Sequence, residues 1–195
     1  AVLIQKPMGE NLVAARSIVG ICRERGLIAA MNFQLRFSPN VLALGDLVAS
    51  RELGEIVDIE VRLVVKQPWH LWKFLEGAER LEILYHSIHY LDTIRALVGE
   101  PRGVYCRAVA HPSMPEFEDT RSTIVLDYGN ALRCSLLLNH THQQQGTHST
   151  SFLKVEGTSG AAQLTLGVNI DYPNGPHDTV EVALANGPWQ PVTLR

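Results

Sequence analysis

Within the first 33 residues an apolar run, an amphipathic stretch and a second apolar run follow one another, and this succession constrains the fold more than any other feature of the chain. Ala1-Val2-Leu3-Ile4 reads as a short buried strand, which needs neighbours on both sides. After a Gln5-Lys6-Pro7 turn, Leu12, Ala15, Ile18, Val19 and Cys22 recur at helical spacing. Asn11 is placed to cap the start and Gly26 to close the end. Leu27 to Phe33 is the second strand. Two such strands joined by one helix form a βαβ crossover with parallel strands. It reads as the last unit of a larger parallel sheet whose earlier strands lie outside these residues.

From Val57 the periodicity changes. Val57, Ile59, Val61, Leu63 and Val65 alternate with Asp58, Glu60 and Arg62, the signature of a half-buried antiparallel strand. Further strands are predicted near 103–109, 121–128, 131–140, 150–156 and 179–184, and helices over Pro39 to Ser50 and Leu81 to Val98. The fold class is therefore α+β: a terminal βαβ unit, then an open, mostly antiparallel sheet with helices on one face. Residues 1–37 and 38–195 form the expected divisions. The other sheet face meets water or a partner subunit.

Composition narrows the function. The 195 residues are 46% hydrophobic and 19% charged with net charge −3, which excludes a disordered chain and leaves no basic footprint for nucleic acid. No apolar run is long enough for a membrane helix. Cys22, Cys106 and Cys134 are far apart, so neither a disulfide framework nor a thiolate zinc site is expected, and a cytoplasmic location is.

The segment Leu81-Glu82-Ile83-Leu84-Tyr85-His86-Ser87-Ile88-His89-Tyr90-Leu91-Asp92 carries the chemistry. On an α-helix Leu81, Leu84, Ile88 and Leu91 make one apolar stripe, and Glu82, His86, His89 and Thr93 fall nearly opposite. Two imidazoles one turn apart, with a carboxylate a turn before, suit a cleft in which protons are exchanged near neutral pH; the plainer alternative is a polar surface with two ordinary histidines. His140 and His142 share a strand face further on, with His148 beyond. With Glu82 and His86 they offer nitrogen and oxygen donors for a metal, or they line a polar pocket; the reading adopted is a pocket without metal. Trp69-His70-Leu71-Trp72 supplies aromatic faces for a sugar ring or a nicotinamide, or staples a loop to the core. Lys6, and Asn32, Gln34 and Arg36, follow adjacent parallel strands at the edge where ligands gather in α/β sheets.

These residues resemble a family. Lys6-Pro7 after an apolar strand is similar to the Glu-Lys-Pro motif of the glucose–fructose oxidoreductase, inositol dehydrogenase and rhizopine catabolism (Gfo/Idh/MocA) family. Met31 to Pro39 resembles the segment leaving its dinucleotide-binding domain, and Leu53-Gly54-Glu55-Ile56-Val57 the start of its first long sheet strand. His89-Tyr90-Leu91-Asp92, with Arg95, Leu97 and Gly99-Glu100-Pro101, resembles its catalytic helix and exit. The resemblance runs from about residue 3 to 160. It implies that residues 1–37 are the remnant of a Rossmann domain and residues 38–195 a substrate-binding and oligomerisation domain. The implied reaction is hydride transfer between NAD or NADP and a hydroxyl-bearing carbon of a sugar, polyol or related small molecule. Carried over, His89 is the general acid/base and Lys6 sits near the nicotinamide ribose and the reacting hydroxyl. Pro7, Gln34 and Arg36 border the cofactor. Trp72, Glu82, His86, His140 and His142 are expected on the substrate.

The chain departs from the family pattern in three places. Gln5 replaces the motif's Glu. Tyr85 stands where an Asp often precedes the histidine by one turn, so orientation of His89 falls to Glu82 and His86, or a proton relay runs through Tyr85. No Gly-x-Gly-x-x-Gly occurs, so the chain by itself is expected to hold no dinucleotide and to be inactive. The alternative is a non-catalytic ligand-binding or oligomerisation module of the same fold. Either way a homodimer or tetramer through the open sheet face is expected.

Overall fold

The computed structural model describes residues 1–144 and 148–194. Strand β1 (Val2–Gln5) runs parallel to β2 (Ala29–Asn32), with helix α1 (Leu12–Glu24) crossing between them. The Asn11 side chain accepts from the Ala14 N–H at 2.9 Å, satisfying a donor that the first helical turn leaves free. The opening strand is not buried, contrary to its apolar composition. Leu3 is 71% exposed and Ile28 77%. One parallel neighbour and one helix cover only part of each residue, so β1 lacks the second flank that burial requires.

Helix α2 (Pro39–Ala49) starts at Ser38, whose Oγ accepts from the Val41 N–H at 3.3 Å, and Pro39 sits where no amide donor is needed. Its Val41, Leu44 and Leu47 are buried against the main sheet. That sheet comprises β3 (Ile56–Val64), β4 (Gly103–Val109), β5 (Arg121–Asp127), β6 (Arg133–Asn139), β7 (Thr150–Gly157), β8 (Gly160–Thr165), β9 (Thr179–Leu184) and β10 (Gln190–Pro191). Their order is β10-β9-β8-β7-β3-β6-β5-β4. Among the described residues every pairing in this sheet is antiparallel except that of β3 with β6.

Period-two alternation sorts the sheet's faces. Cys106, Ile124, Leu136, Val61, Leu153, Leu164 and Val180 stand in register across seven strands, all buried except Cys106 on the edge strand. The opposite face carries Glu60, Arg62 and Lys154 together with exposed Tyr105, Val125 and Leu137. Val57 leaves the expected pattern. The register against β7 slips between Ile56 and Asp58, which turns Val57 outward. At the preceding turn Gly54 holds φ +78°, and a Cβ there would lie 2.3 Å from Thr158 Oγ1.

The segment expected to be one α-helix is two. Glu82–Ser87 forms a π-helical turn, and α3 (Ile88–Val98) continues from it. The Ile88 N–H donates to the carbonyl of Ile83, five residues back. The additional residue in the turn shifts the phase of everything after it. Glu82 and Thr93, expected on the polar, cleft-facing side, are fully enclosed.

Candidate active site

Lys6 leaves β1 and reaches the turn before α3, where its ammonium donates to the carbonyl of Tyr85. The same nitrogen lies 5.8 Å from the centre of the Tyr85 ring. Burial lowers the Lys6 pKa, because the charged form loses hydration. His89, four residues after Tyr85, packs edge-on against Phe33 with ring centres 6.3 Å apart. Its protonation is pushed down to about 4, mainly by burial and further by the Lys6 charge, with Asp92 opposing. At neutral pH His89 is thus an uncharged imidazole, the form that accepts a proton. Its Nδ1 is buried without a partner among the described residues.

Behind this pair lies an enclosed polar cluster. The His86 and His140 rings stack with centres 4.2 Å apart. Two imidazolium ions at that spacing repel, and burial disfavours charge on either. His86 is lowered well below 6.5, first by burial and then by His140, and burial carries His140 down to about 3. Glu82, with no exposed surface, has Oε2 at 2.6 Å from His140 Nδ1. Its other oxygen accepts from Ser87 Oγ at 2.7 Å and Ser122 Oγ at 3.3 Å. Burial raises the Glu82 carboxyl to about 7, the neighbouring His86 and the serine donors acting against it.

Lys6, Gln34, Trp72, Tyr85, His86 and His89 line one cavity of about 440 Å³, with His140 at its inner end. Seven residues singled out from sequence therefore meet in one place. Four do not reach it. Glu82 is sealed behind His140 and contacts no cavity space, which corrects its expected place on the substrate. Arg36 is spent on Asp92, and Pro7 and His142 are outside the lining. Among the described residues no group of three His, Cys, Asp or Glu side chains is arranged to hold a metal ion.

The sequence reading missed the far wall. Gln67, Asn169 and Tyr172 line the same cavity. Asn169 Nδ2 donates to Tyr90 Oη at 3.2 Å and Ser151 Oγ at 3.4 Å, and the Tyr172 ring lies 5.8 Å from that of Trp72. Nothing local marks these residues. Gln67 and Tyr172 lie in loops and Asn169 ends a short 3-10 turn (Gly167–Asn169), and only tertiary structure brings them to the helix.

A family model described as GFO/IDH/MocA C-terminal domain matches residues 41–163. This chain belongs to that family. Among curated proteins it is 29% identical over 167 residues to trans-1,2-dihydrobenzene-1,2-diol dehydrogenase of Sus scrofa and 30% identical over 165 residues to that of Bos taurus. Both matches cover 84% of this chain and 47% of the relative, so the chain spans about half the length of the curated relatives it matches. Among solved structures, aldose-aldose oxidoreductase from Caulobacter crescentus, complexed with glycerol, shares the fold. The TM-score is 0.78 at 18% identity, covering 98% of this chain and 55% of that one. An inositol dehydrogenase homolog from Azotobacter vinelandii, complexed with NADH and myo-inositol, gives 0.77 at 13% identity, covering 97% and 48%. In the GFO/IDH/MocA frame the cavity lies where the βαβ unit meets the helix-covered face of the large sheet. No helix among the described residues is long and apolar enough to cross a membrane.

Proposed function

We propose that this chain is the substrate-binding and catalytic part of an NAD(P)-dependent oxidoreductase acting on a hydroxyl-bearing carbon of a sugar, polyol or cyclic diol. The observation that carries this reading is the presence of Lys6 and His89 on one cavity large enough for a small molecule. Family membership and the diol dehydrogenase relatives support it.

The residues present fit the nicotinamide end of the cofactor. Lys6 and Gln34 stand at the ends of adjacent parallel strands, the ligand-binding edge of such sheets, and both line the cavity. The sequence contains no Gly-x-Gly-x-x-Gly turn, so these residues answer to that end alone. NAD(P), when bound, supplies the hydride acceptor.

An alcohol carbon yields hydride readily only as its hydroxyl proton departs, so a base must touch that hydroxyl. His89, uncharged at neutral pH, takes the proton. Lys6 stabilises the developing alkoxide, and the Tyr85 carbonyl holds the ammonium in place. Trp72 and Tyr172 offer ring faces to the apolar side of the substrate. Arg36 braces the helix that carries His89. The exposed Tyr105, Val125 and Leu137 support a homodimer or tetramer through the open sheet face, and three free cysteines support a reducing, cytoplasmic setting.

The test is cofactor reduction by the full-length protein, given NAD+ or NADP+ and a panel of sugars, polyols and cyclic diols. At least one substrate is turned over, and His89→Ala lowers kcat by about 10²-fold or more. A His89→Ala variant with unchanged turnover would reject the assignment.

A further inference from the structure

Glu82 has no part in the proton transfer just described, yet it is among the most enclosed ionisable groups of the protein. A carboxyl with no access to water is strongly destabilising unless its oxygens are satisfied, so its partners are informative. Two serine hydroxyls satisfy Oε1, from the π-helical turn and from β5. His140 Nδ1 stands 2.6 Å from Oε2. Neither atom has a hydrogen-bond partner among the described residues, so this close contact is what holds the two groups against each other. Through that contact the His140 ring is seated against Glu82. The backbone of His140 is tied separately, its carbonyl accepting from the Trp69 indole N–H at 3.1 Å.

His140 in turn is the platform for His86. The two rings stack at 4.2 Å with planes 27° apart, while Trp69 meets His86 edge-on at 5.3 Å. His86 is thereby held on two sides by groups fixed from behind. It still reaches the cavity, and its Nε2 is buried without a partner among the described residues. A ring so constrained, beside the proposed base and with unused hydrogen-bonding capacity, is arranged to meet a ligand rather than to fill space.

We propose that Glu82 is a positioning residue: through His140 it fixes the His86 ring as a second imidazole on the substrate, separate from the proton transfer at His89. This rests on the cavity being the substrate site. It also assigns Glu82 a different task from orienting His89, whose ring packs edge-on against Phe33.

The first experiment needs no turnover. Ring 15N spectra of histidine-labelled protein locate the His140, His86 and His89 signals in the wild type. In Glu82→Gln the His140 signals move and those of His86 follow, while those of His89 stay in place. Unchanged His140 and His86 signals, or a shift confined to His89, overturn the proposal. The second experiment uses the full-length enzyme. Glu82→Gln and His140→Asn each raise KM about tenfold with kcat changed by less than about threefold, and the double variant resembles either single one. A fall in kcat alone, or additive effects, overturns it. Should Glu82→Gln fail to fold, Ser122→Ala removes one hydroxyl from the same carboxyl and shifts the His140 signals in the same direction; signals that do not move count against the proposal. Wild-type protein that shows the ring coupling but oxidises no substrate would overturn the dehydrogenase reading while leaving the clamp on His86 intact.

Discussion

Arg36 grips Asp92 through two nitrogens, Nε to Oδ2 at 2.8 Å and Nη2 to Oδ1 at 2.5 Å, and so ties the turn leaving the βαβ unit to the middle of α3. Asp92 is nearly buried, with 7% of its side chain exposed, whereas Arg36 retains 38%. The fork of the guanidinium matches the carboxylate, which makes this pair geometrically specific. Removing the arginine leaves a buried charge alone. Arg36→Met lowers unfolding stability by about 1–3 kcal/mol in urea denaturation. A change near zero would show that the clasp is held for geometry alone.

On the proposed reading Lys6 contributes its charge to the reaction rather than to packing. Lys6→Met keeps the length of the side chain and removes the ammonium. In the full-length enzyme kcat falls by about 10²-fold or more, while the melting temperature stays within a few degrees. Equal losses in stability and turnover would make Lys6 a structural tie to Tyr85.

Stability falls on acidification. His86, His89 and His140 all protonate in the unfolded chain near 6.5, but burial holds the folded values lower, to about 4 for His89 and about 3 for His140. Between about 4 and 6.5 the unfolded state therefore binds more protons, and lowering the pH through that window favours unfolding. Glu82 acts in the opposite sense. Its folded carboxyl titrates at about 7 against 4.5 when unfolded, so its contribution to stability declines as pH rises between those values. Three rings outweigh one carboxyl. Calorimetry finds a lower melting temperature at pH 5 than at pH 7, with a steeper dependence in Glu82→Gln, where the opposing group is gone. A higher melting temperature at pH 5 would contradict the burial of these rings.

Gly54 is fixed by its surroundings. At φ +78° any side chain is strained, and a methyl group would collide with the Thr158 hydroxyl and crowd the Ser159 amide at 3.0 Å. Gly54→Ala costs about 1–3 kcal/mol of unfolding stability by urea titration. Thr158→Ala in the same background relieves part of that loss, because the closest of these contacts disappears.

Much of the fold was legible because periodicity reports burial directly. The βαβ opening, the cap at Asn11 and most sheet strands follow from spacing alone. Strand β8, rich in Gly and Ala, carries no strand propensity and is held by its neighbours; β10 has only two residues. The exposure of Leu3 was illegible for a different reason, since an apolar strand announces a need for cover and not its presence. At the site, His86, His89 and Lys6 were legible as residues able to exchange protons or carry charge. The enclosure of Glu82 was not, because a π-helical turn changes which residues share a face and leaves no mark in composition. Gln67, Asn169 and Tyr172 come from loops and a single 3-10 turn, where polar residues are ordinary.

The central strand of the large sheet, β3, is flanked by β6 and β7, which begin at Arg133 and Thr150. During synthesis on the ribosome β3 emerges long before either neighbour exists, and its apolar row Ile59, Val61 and Leu63 must wait unpaired. Pairing of β3 is therefore governed by long-range closure, and until β6 has been made its apolar row stays open to chaperones.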